Sequence, residues 1–196
     1  KTAKQAEAVS YRQAMDFKER FTFPAKVAVG CWATGSAVVK FGDKKTNPNV
    51  QLNGADENFM DVKGVDIALG RNFSKSEAEN GASIAVIGSD VVKTLFEGKN
   101  EKALDQLITV DNHKYRVVGV MASKGSSMND AGNRKIYAPL INIKAVYGGG
   151  GRFRAAGRFA LDAFDGVHDG VEFIDAAAGT GAQKGRQRGV CVDHDR

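Results

Sequence analysis

The sequence has few of the residues that usually build disulfide frameworks and metal sites. Its 196 residues include 2 cysteines, 3 histidines, 3 prolines and 1 tryptophan. Cys31 and Cys191 have no CxxC or metal-like spacing, which argues against a disulfide framework and a structural zinc site. Because Cys31 stands in an apolar run, we expect an ordinary buried thiol there.

Long apolar segments are also missing. No window approaches eighteen consecutive apolar residues, and the first residues, KTAKQAEA, contain no apolar core of a signal peptide. With 42% hydrophobic and 26% charged residues, the composition is that of an ordinary globular chain. The sequence does not begin with Met, so we expect it to be a piece of a longer protein.

Catalytic motifs are absent as well. Residues 30–36 have the G-x-x-x-x-G spacing of a phosphate loop but lack its lysine. There is no H-x-x-x-H metal pair and no G-x-S-x-G nucleophile motif. The paired carboxylates Asp56/Glu57 and Glu77/Glu79 stand in predicted caps or loops, where they stabilise helix starts. We therefore expect no catalytic residue, no metal, no cofactor and no enzymatic activity; a small hydrolase with an unrecognised site is the least favoured reading.

The formal net charge of +5 would suit an anionic partner. In residues 1–147, however, 21 Lys and Arg are interspersed with 16 Asp and Glu. A nucleic-acid surface requires clustered cations with exposed aromatic residues. The pattern favours a mixed, solvated surface and no nucleic-acid partner.

The composition changes after Tyr147. Residues 1–147 contain 16 Lys and 11 Asn, whereas residues 148–196 contain 1 Lys, no Asn and 11 of the 23 glycines. The second segment is either a flexible Gly/Ala/Arg tail that could touch nucleic acid or a non-native, frame-shifted sequence. The frame shift is favoured because Lys, Asn and Ile decline together. In both cases we expect a disordered tail with no core of its own.

Local patterns in residues 1–147 predict strands with short, segregated helices, and hence an α+β fold. Ser10 and Gln13 form a capping box for a helix that Pro24 ends. Further predicted elements are a strand over 26–31, a hairpin pairing 37–41 with 49–52, a short helix near 59–62, a strand over 83–87, a helix capped by Ser89 or Asp90 and stopped by Gly98, a hairpin of 107–110 with 115–121 turning at 111–114, and a strand over 135–140.

The order of several short motifs is more specific than any one of them. They are Asn53–Met60, Gly70-Arg71-Asn72-Phe73, Ile84–Gly88, Leu95-Phe96, Ile108–Val110, Tyr115–Val120 and Tyr137–Leu140. This series resembles the MacB-like periplasmic core domain, the extracytoplasmic insert of FtsX-like ABC transporter permeases. The helix and strand of residues 10–31 also fit the opening of that family.

The resemblance implies a division of the chain. Residues 1–147 would be a partial MacB-like periplasmic core domain, with 1–41 as the first part of a porter-like lobe and 42–147 mainly an insertion lobe. The family continues with a second βαβ portion where the composition of this chain breaks, at about residue 148. The domain would then be incomplete, with unpaired strand edges in the porter-like lobe.

The resemblance also implies function. Such a domain is non-catalytic and couples membrane-helix motion to substrate export or lipoprotein handling, and it is the extracytoplasmic part of an inner-membrane protein. The implied partners are a second permease copy, a cytoplasmic ATPase subunit that hydrolyses ATP, and a periplasmic adaptor or substrate. The alternative is a basic nucleic-acid-binding module that uses the Arg/Gly-rich tail.

Seven motif residues are expected to be structural. In this interpretation Gly70 turns the chain, Phe73 fills the core, Arg71 fixes the following loop by hydrogen bonds, and Gly88 lets a strand enter a helix. The segment 74–81 is an exposed connection. The full set of structural family-motif residues is Gly70, Arg71, Phe73, Gly88, Phe96, Gly119 and Pro139.

Overall fold

The computed structural model describes residues 10–22, 25–123 and 133–147, and the backbone of 152–158 and 171–174. The helices are α1 (Tyr11–Arg20), α2 (Phe59–Val62), α3 (Lys75–Glu79), α4 (Ser89–Phe96), α5 (Asn100–Ala103) and α6 (Leu140–Tyr147). The strands are β1 (Lys26–Ala37), β2 (Val39–Phe41), β3 (Lys44–Lys45), β4 (Val50–Ala55), β5 (Ile67–Gly70), β6 (Ile84–Ile87), β7 (Leu107–Val110), β8 (His113–Met121), β9 (Lys135–Pro139), β10 (Arg152–Arg158) and β11 (Val171–Ile174).

All of these strands join one mixed sheet. Its order is β11-β10-β1-β4-β9-β6-β8-β7-β2-β3, and β5 pairs with β8. The pairs β4·β9 and β6·β8 are parallel, and the others are antiparallel. The α+β class predicted from the sequence is therefore confirmed.

Both faces of the sheet are covered, and the side chains of the central strands alternate between them. In β6, for example, Ile84 and Val86 belong to one buried cluster, while Ala85 and Ile87 belong to the other. Alternation of this kind follows from the two-residue period of a strand. Helices α1, α4, α5 and α6 cover the face of Ile87, and α2 and α3 cover the face of Val86.

The structure confirms the predicted start of α1, the predicted buried residues of α2 and the predicted hairpin between β7 and β8. Ser10 and Gln13 form the predicted capping box of α1, and all three apolar residues predicted in α2 are buried. The β7–β8 hairpin turns at Asp111 and Asn112, whose φ angles of 44° and 75° are those of a type I′ turn. Pro24, predicted to end α1, lies outside the described residues.

The predicted hairpin between 37–41 and 49–52 is wrong. β2 pairs with the two-residue strand β3 and with β7, whereas β4 pairs with β1 and β9. The polar turn after Phe41 is too local a signal to distinguish these arrangements, because strands far apart in sequence supply the stronger partners. The structure also adds helix α6 directly after β9, where the sequence predicted only the end of a strand.

Two strands lie beyond the compositional break. β10 pairs with β1, and β11 pairs with β10, so the structure gives β1 a neighbour on both sides. The unpaired edge predicted for the porter-like lobe is therefore wrong at β1, and residues 152–158 and 171–174 are strands where a disordered tail was predicted. The rest of the segment 148–196 lies outside the described residues. The division of the chain at residues 41 and 147 and the frame-shift origin of the last segment stay predictions.

Candidate functional site

A largely buried ion cluster connects α1 to the residues that follow β4. Lys18 Nζ lies 2.6 Å from Asp56 Oδ2 and 2.8 Å from Glu57 Oε1. The exposed fractions of these side chains are 16% for Lys18, 7% for Asp56 and 21% for Glu57. We call these three residues the Lys18 cluster. Its carboxylates, which the sequence analysis assigned to a helix start, are held by a lysine 38 positions away from Asp56.

Backbone groups complete the environment of Asp56. Its Oδ2 also accepts a hydrogen bond from the buried Val29 N–H at 2.8 Å, and its Oδ1 accepts one from Asn58 N–H at 3.2 Å. Burial raises the pKa of Asp56, although Lys18 and the Val29 N–H act in the opposite direction. Burial alone would lower the pKa of Lys18, but the hydrogen bonds to Asp56 and Glu57 hold it above its ordinary value. These carboxylates are bound by the protein itself and serve as structural anchors.

A hydrogen bond continues from the Lys18 cluster to the segment Gly70–Phe73, which we call the GRNF loop. Asn72 Nδ2 donates to the Glu57 carbonyl at 2.9 Å, and Asn72 Oδ1 accepts from Phe73 N–H at 2.8 Å. The Phe73 side chain is buried at 4% exposure, as the sequence predicted. The two regions are therefore in direct contact.

The GRNF loop lies against β8. Gly70 has a φ of +82°, and a Cβ placed on it would stand 2.4 Å from the Val118 carbonyl oxygen. Arg71 N–H donates to that same oxygen at 2.9 Å. A Cβ on Gly119 would lie 2.4 Å from the Arg71 carbonyl oxygen. Both glycines are therefore needed because two backbones approach closely.

Arg71 fixes the following loop, as expected, because its Nη1 donates to the Asn72 carbonyl at 3.0 Å, and it also fixes the start of helix α3. Its Nη1 and Nη2 donate to Glu77 Oε2 and Oε1, each at 2.7 Å. Glu77 also completes a capping box with Ser74 at the start of α3. The segment 74–81 is mostly exposed, as predicted, but it contains helix α3, which the sequence analysis did not predict. The S-x-x-E signal of a capping box was present in the sequence, but five helical residues are too few to show periodicity.

Replacing Glu77 with Gln is expected to lower stability by up to about 1 kcal/mol near neutral pH, because the ion pair with Arg71 is lost while a glutamine can still complete the capping box. The hydrogen bonds from Arg71, followed by those from Ser74, lower the pKa of Glu77 from 4.5 to about 2. A lowered folded-state pKa stabilises the fold above the unfolded value. The difference in unfolding free energy between wild type and variant should therefore shrink as the pH falls from about 4.5 to about 2.

Urea unfolding at several pH values measures this difference. Glu79→Gln is the matched control in the same helix, since the one ion pair of Glu79 among the described residues is an exposed contact with Lys75 at 3.8 Å. If the unfolding free energies of both variants depend on pH in the same way, the Arg71–Glu77 pair is not the cause of the pH-dependent loss of stability.

The chain matches the family model described as the MacB-like periplasmic core domain over residues 2–181. The chain belongs to this family. The resemblance drawn from the order of the motifs is thereby confirmed, and the chain is a periplasmic domain of a MacB-like ABC transporter permease.

Relatives of this MacB-like periplasmic core domain are export proteins. The macrolide export ATP-binding/permease protein MacB of Burkholderia pseudomallei is 33% identical over 96 residues, which cover 49% of this chain and 14% of that protein. The pyoverdine export ATP-binding/permease protein PvdT of Pseudomonas fluorescens is 34% identical over 79 residues, which cover 40% of this chain and 12% of that protein. The chain thus spans only a small part of these relatives.

Solved structures share the fold. The periplasmic region of MacB from Actinobacillus actinomycetemcomitans superposes with a TM-score of 0.65 at 17% identity, covering 81% of this chain and 69% of that one. The extracellular domain of the noncanonic ABC-type transporter YknZ from Gram-positive bacteria gives a TM-score of 0.60 at 19% identity, covering 76% and 72%. No described helix of this domain has the length and apolar character needed to cross a bilayer.

The remaining motif residues of the MacB-like domain are Gly88, Phe96 and Pro139. Gly88 is the N-cap of α4, a position the sequence analysis gave to Ser89 or Asp90, and a Cβ on it would lie 2.2 Å from the Asn133 carbonyl oxygen. Phe96 is buried against Phe41, with ring centroids 4.5 Å apart. Pro139 ends β9 opposite Ala55. Their role as a framework of the family stays a prediction.

Among the described residues of this MacB-like domain, the candidate metal-binding and phosphate-binding residues do not come together in one site. Within the described ranges, no group of three or more His, Cys, Asp or Glu side chains could hold a metal ion. The glycine-rich segment 30–36 lies within β1 instead of forming a loop, and His113 begins β8 at the hairpin. Cys191, His168 and His194 lie outside the described residues.

The Cys31 thiol is expected to resist modification in the folded domain. Its side chain is buried, and burial raises its pKa to about 11, so that little thiolate is available at neutral pH. In a Cys191→Ser variant, Ellman's reagent should react with Cys31 slowly in buffer and completely in urea. Rapid reaction in buffer would show that the β1–β4 region opens readily.

Proposed function

We propose that this domain is a non-catalytic coupling element of an ABC transporter permease. In this proposal, movement of the membrane segments of the parent protein reaches the domain through α1 and is passed to the sheet. The coupled process is export of a substrate or handling of a lipoprotein. The observation that carries the proposal is the pair of largely buried ion pairs that Lys18 forms with Asp56 and Glu57.

Two anchors hold α1 at different points along its length. The ammonium group of Lys144, on α6, lies 4.3 Å from the centroid of the Tyr11 ring in the first turn. The Lys18 cluster holds the last turn, and Ala14 between them is 1% exposed. Apolar contacts alone allow a helix to slide or rotate, whereas a buried, hydrogen-bonded ion pair has a defined geometry. A force applied to α1 would therefore move the residues that follow β4 together with the helix.

The same contacts provide a route into the rest of the domain. The Glu57 side chain accepts a hydrogen bond from Lys18, and the Glu57 backbone carbonyl accepts one from Asn72. Displacement of α1 would thus reach the GRNF loop and, through Arg71, helix α3. The proposed partners are a second permease copy, a cytoplasmic ATPase that hydrolyses ATP, and a periplasmic adaptor or substrate protein.

The test uses Lys18→Met in the full-length permease. We expect substrate export to fall, because α1 would no longer pass its movement to the sheet. The ATPase rate should be retained, because in this proposal ATP is hydrolysed by the cytoplasmic ATPase. Two controls are needed at equal protein abundance in the membrane. Lys26→Met removes the exposed pair with Asp61, and Leu95→Ala removes a buried side chain far along the chain from α1.

Loss of export in Lys18→Met but not in Leu95→Ala would support coupling through the Lys18 cluster. Equal export in Lys18→Met and wild type would contradict it. An equal loss in Leu95→Ala would assign the effect to stability, and that result would also contradict the proposal.

A further inference from the structure

A polar groove lies between α4, the loop before β4 and the start of β9. It has a volume of about 300 Å³. Its walls carry Lys45, Lys93 and Arg134, with Asp90 as the only acid among the described lining residues. Asp90 is already paired with Lys93, whose Nζ lies 3.0 Å from Asp90 Oδ1. The groove therefore has an excess of positive charge.

Arg134 is the half-buried cation of this groove. The Asn49 carboxamide is oriented so that its nitrogen and its oxygen both have hydrogen-bond partners. In that orientation the Asn49 side-chain oxygen accepts a hydrogen bond from Arg134 Nη1 at 3.2 Å. Among the residues that the structure describes, no carboxylate lies within ion-pair distance of Arg134 or Lys45. A guanidinium group that meets only a neutral acceptor keeps most of its capacity for a bidentate oxyanion.

The walls of the groove are fixed before any ligand arrives. The Arg134 carbonyl accepts from Gln51 N–H at 2.9 Å, which holds that residue against β4. Thr46, another lining residue, exchanges two hydrogen bonds with Val39 of β2, one of them through the Thr46 hydroxyl at 3.0 Å. Asp90 N–H donates to the Asn133 carbonyl at 3.1 Å and fixes the start of α4. A site with fixed walls loses little entropy when it binds a ligand.

We propose that this groove binds a phosphate-bearing anion. Arg134 would supply the fork of N–H donors, Lys45 a second charge, and the Asn47 carboxamide a neutral hydrogen bond. The volume lies at the small end of ligand clefts, which begin at about 300 Å³, and suits one phosphate group with a short substituent. That group could belong to a free phosphorylated molecule or to the headgroup of an anionic phospholipid. The inference does not depend on the proposed coupling function.

The first experiment titrates the isotope-labelled chain with inorganic phosphate at constant ionic strength and follows backbone amide signals. We expect saturable shifts confined to the residues around Lys45, Asp90 and Arg134. Arg134→Gln should weaken binding by about tenfold or more, because a charge-assisted hydrogen bond is lost. Lys45→Gln, at an exposed position that leaves the fold unchanged, should weaken it less. Asp90→Asn should strengthen binding by removing the acid.

The matched control is Lys114→Gln, an exposed lysine on β8 without an ion pair among the described residues. It changes the net charge equally and should leave the affinity unchanged. Equal weakening in Lys114→Gln and Arg134→Gln, or shifts that do not saturate, would show a diffuse surface charge and overturn the proposal. The absence of any shift would overturn it as well.

A second arm separates the two sources of phosphate. The chain is mixed with vesicles of phosphatidylcholine alone or of phosphatidylcholine with phosphatidylglycerol. Sedimentation only with phosphatidylglycerol, reduced by Arg134→Gln, would assign a lipid headgroup. Binding of inorganic phosphate without sedimentation would assign a free phosphorylated ligand. Sedimentation that Arg134→Gln does not reduce would contradict a role for the groove in lipid binding.

Discussion

Asp56→Ala is expected to lower the free energy of unfolding by about 3 kcal/mol or more, since it removes one partner of a buried ion pair. The variant leaves Lys18 with a single carboxylate and leaves the buried Val29 N–H without its acceptor. An unsatisfied buried donor alone costs about 1–3 kcal/mol. Urea denaturation followed by circular dichroism measures the change, provided that the slope with urea concentration is the same for both proteins.

The control for Asp56→Ala is an ion pair with the same chemistry on the surface. Lys26 Nζ lies 2.8 Å from Asp61 Oδ2, but these side chains are 65% and 59% exposed. Asp61→Ala should therefore change stability by less than about 1 kcal/mol. If the two variants lose similar amounts, the Lys18 cluster does not anchor α1 and the proposed coupling route loses its physical basis.

Gly70→Ala is the second substitution with a large expected effect. The φ of +82° already disfavours a side chain, and the added Cβ would meet the Val118 carbonyl oxygen at 2.4 Å. That oxygen is backbone of the central strand β8 and also holds Arg71 N–H, so it cannot move without breaking the contact. We expect a loss of about 3 kcal/mol or more, from left-handed strain of about 1–2 kcal/mol together with the steric clash.

Gly42→Ala separates these two contributions. Gly42 has a φ of +56°, but nothing lies within 4 Å of the position that its Cβ would occupy. Its replacement should therefore cost only the strain, about 1–2 kcal/mol. Thermal unfolding of both variants is sufficient to compare them. Equal losses would mean that the GRNF loop can move away from β8 without a penalty.

The sequence predicted features that depend on neighbouring residues. The capping box at Ser10, the burial of Phe73 and the hairpin turn at Asp111 each follow from a few adjacent side chains. The order of the motifs predicted the family as well, because their spacing along the chain carries information that no single motif has. What the sequence identified well was therefore local geometry and ancestry.

The parts that could not be predicted depend on residues far apart in the chain. Nothing near Asp56 indicates that Lys18 is its partner, and the composition of β4 does not say that β1 and β9 flank it. The groove around Arg134 is equally non-local, since three separate segments form its walls. Helix α3 was missed for a different reason: its capping signal was present, but the helix is shorter than the window in which periodicity can be recognised.

The arrangement of the strands has a consequence for the order of folding. The β7–β8 hairpin closes a short loop at Asp111 and can form early, because loop closure costs little entropy at this length. The middle of the sheet cannot form so soon, since Gln51 must meet Lys135 before β4 and β9 pair. Until then the edge of β4 that β9 covers remains unpaired. Contacts of this range slow folding, so this domain should collapse around its hairpin first and close its centre last.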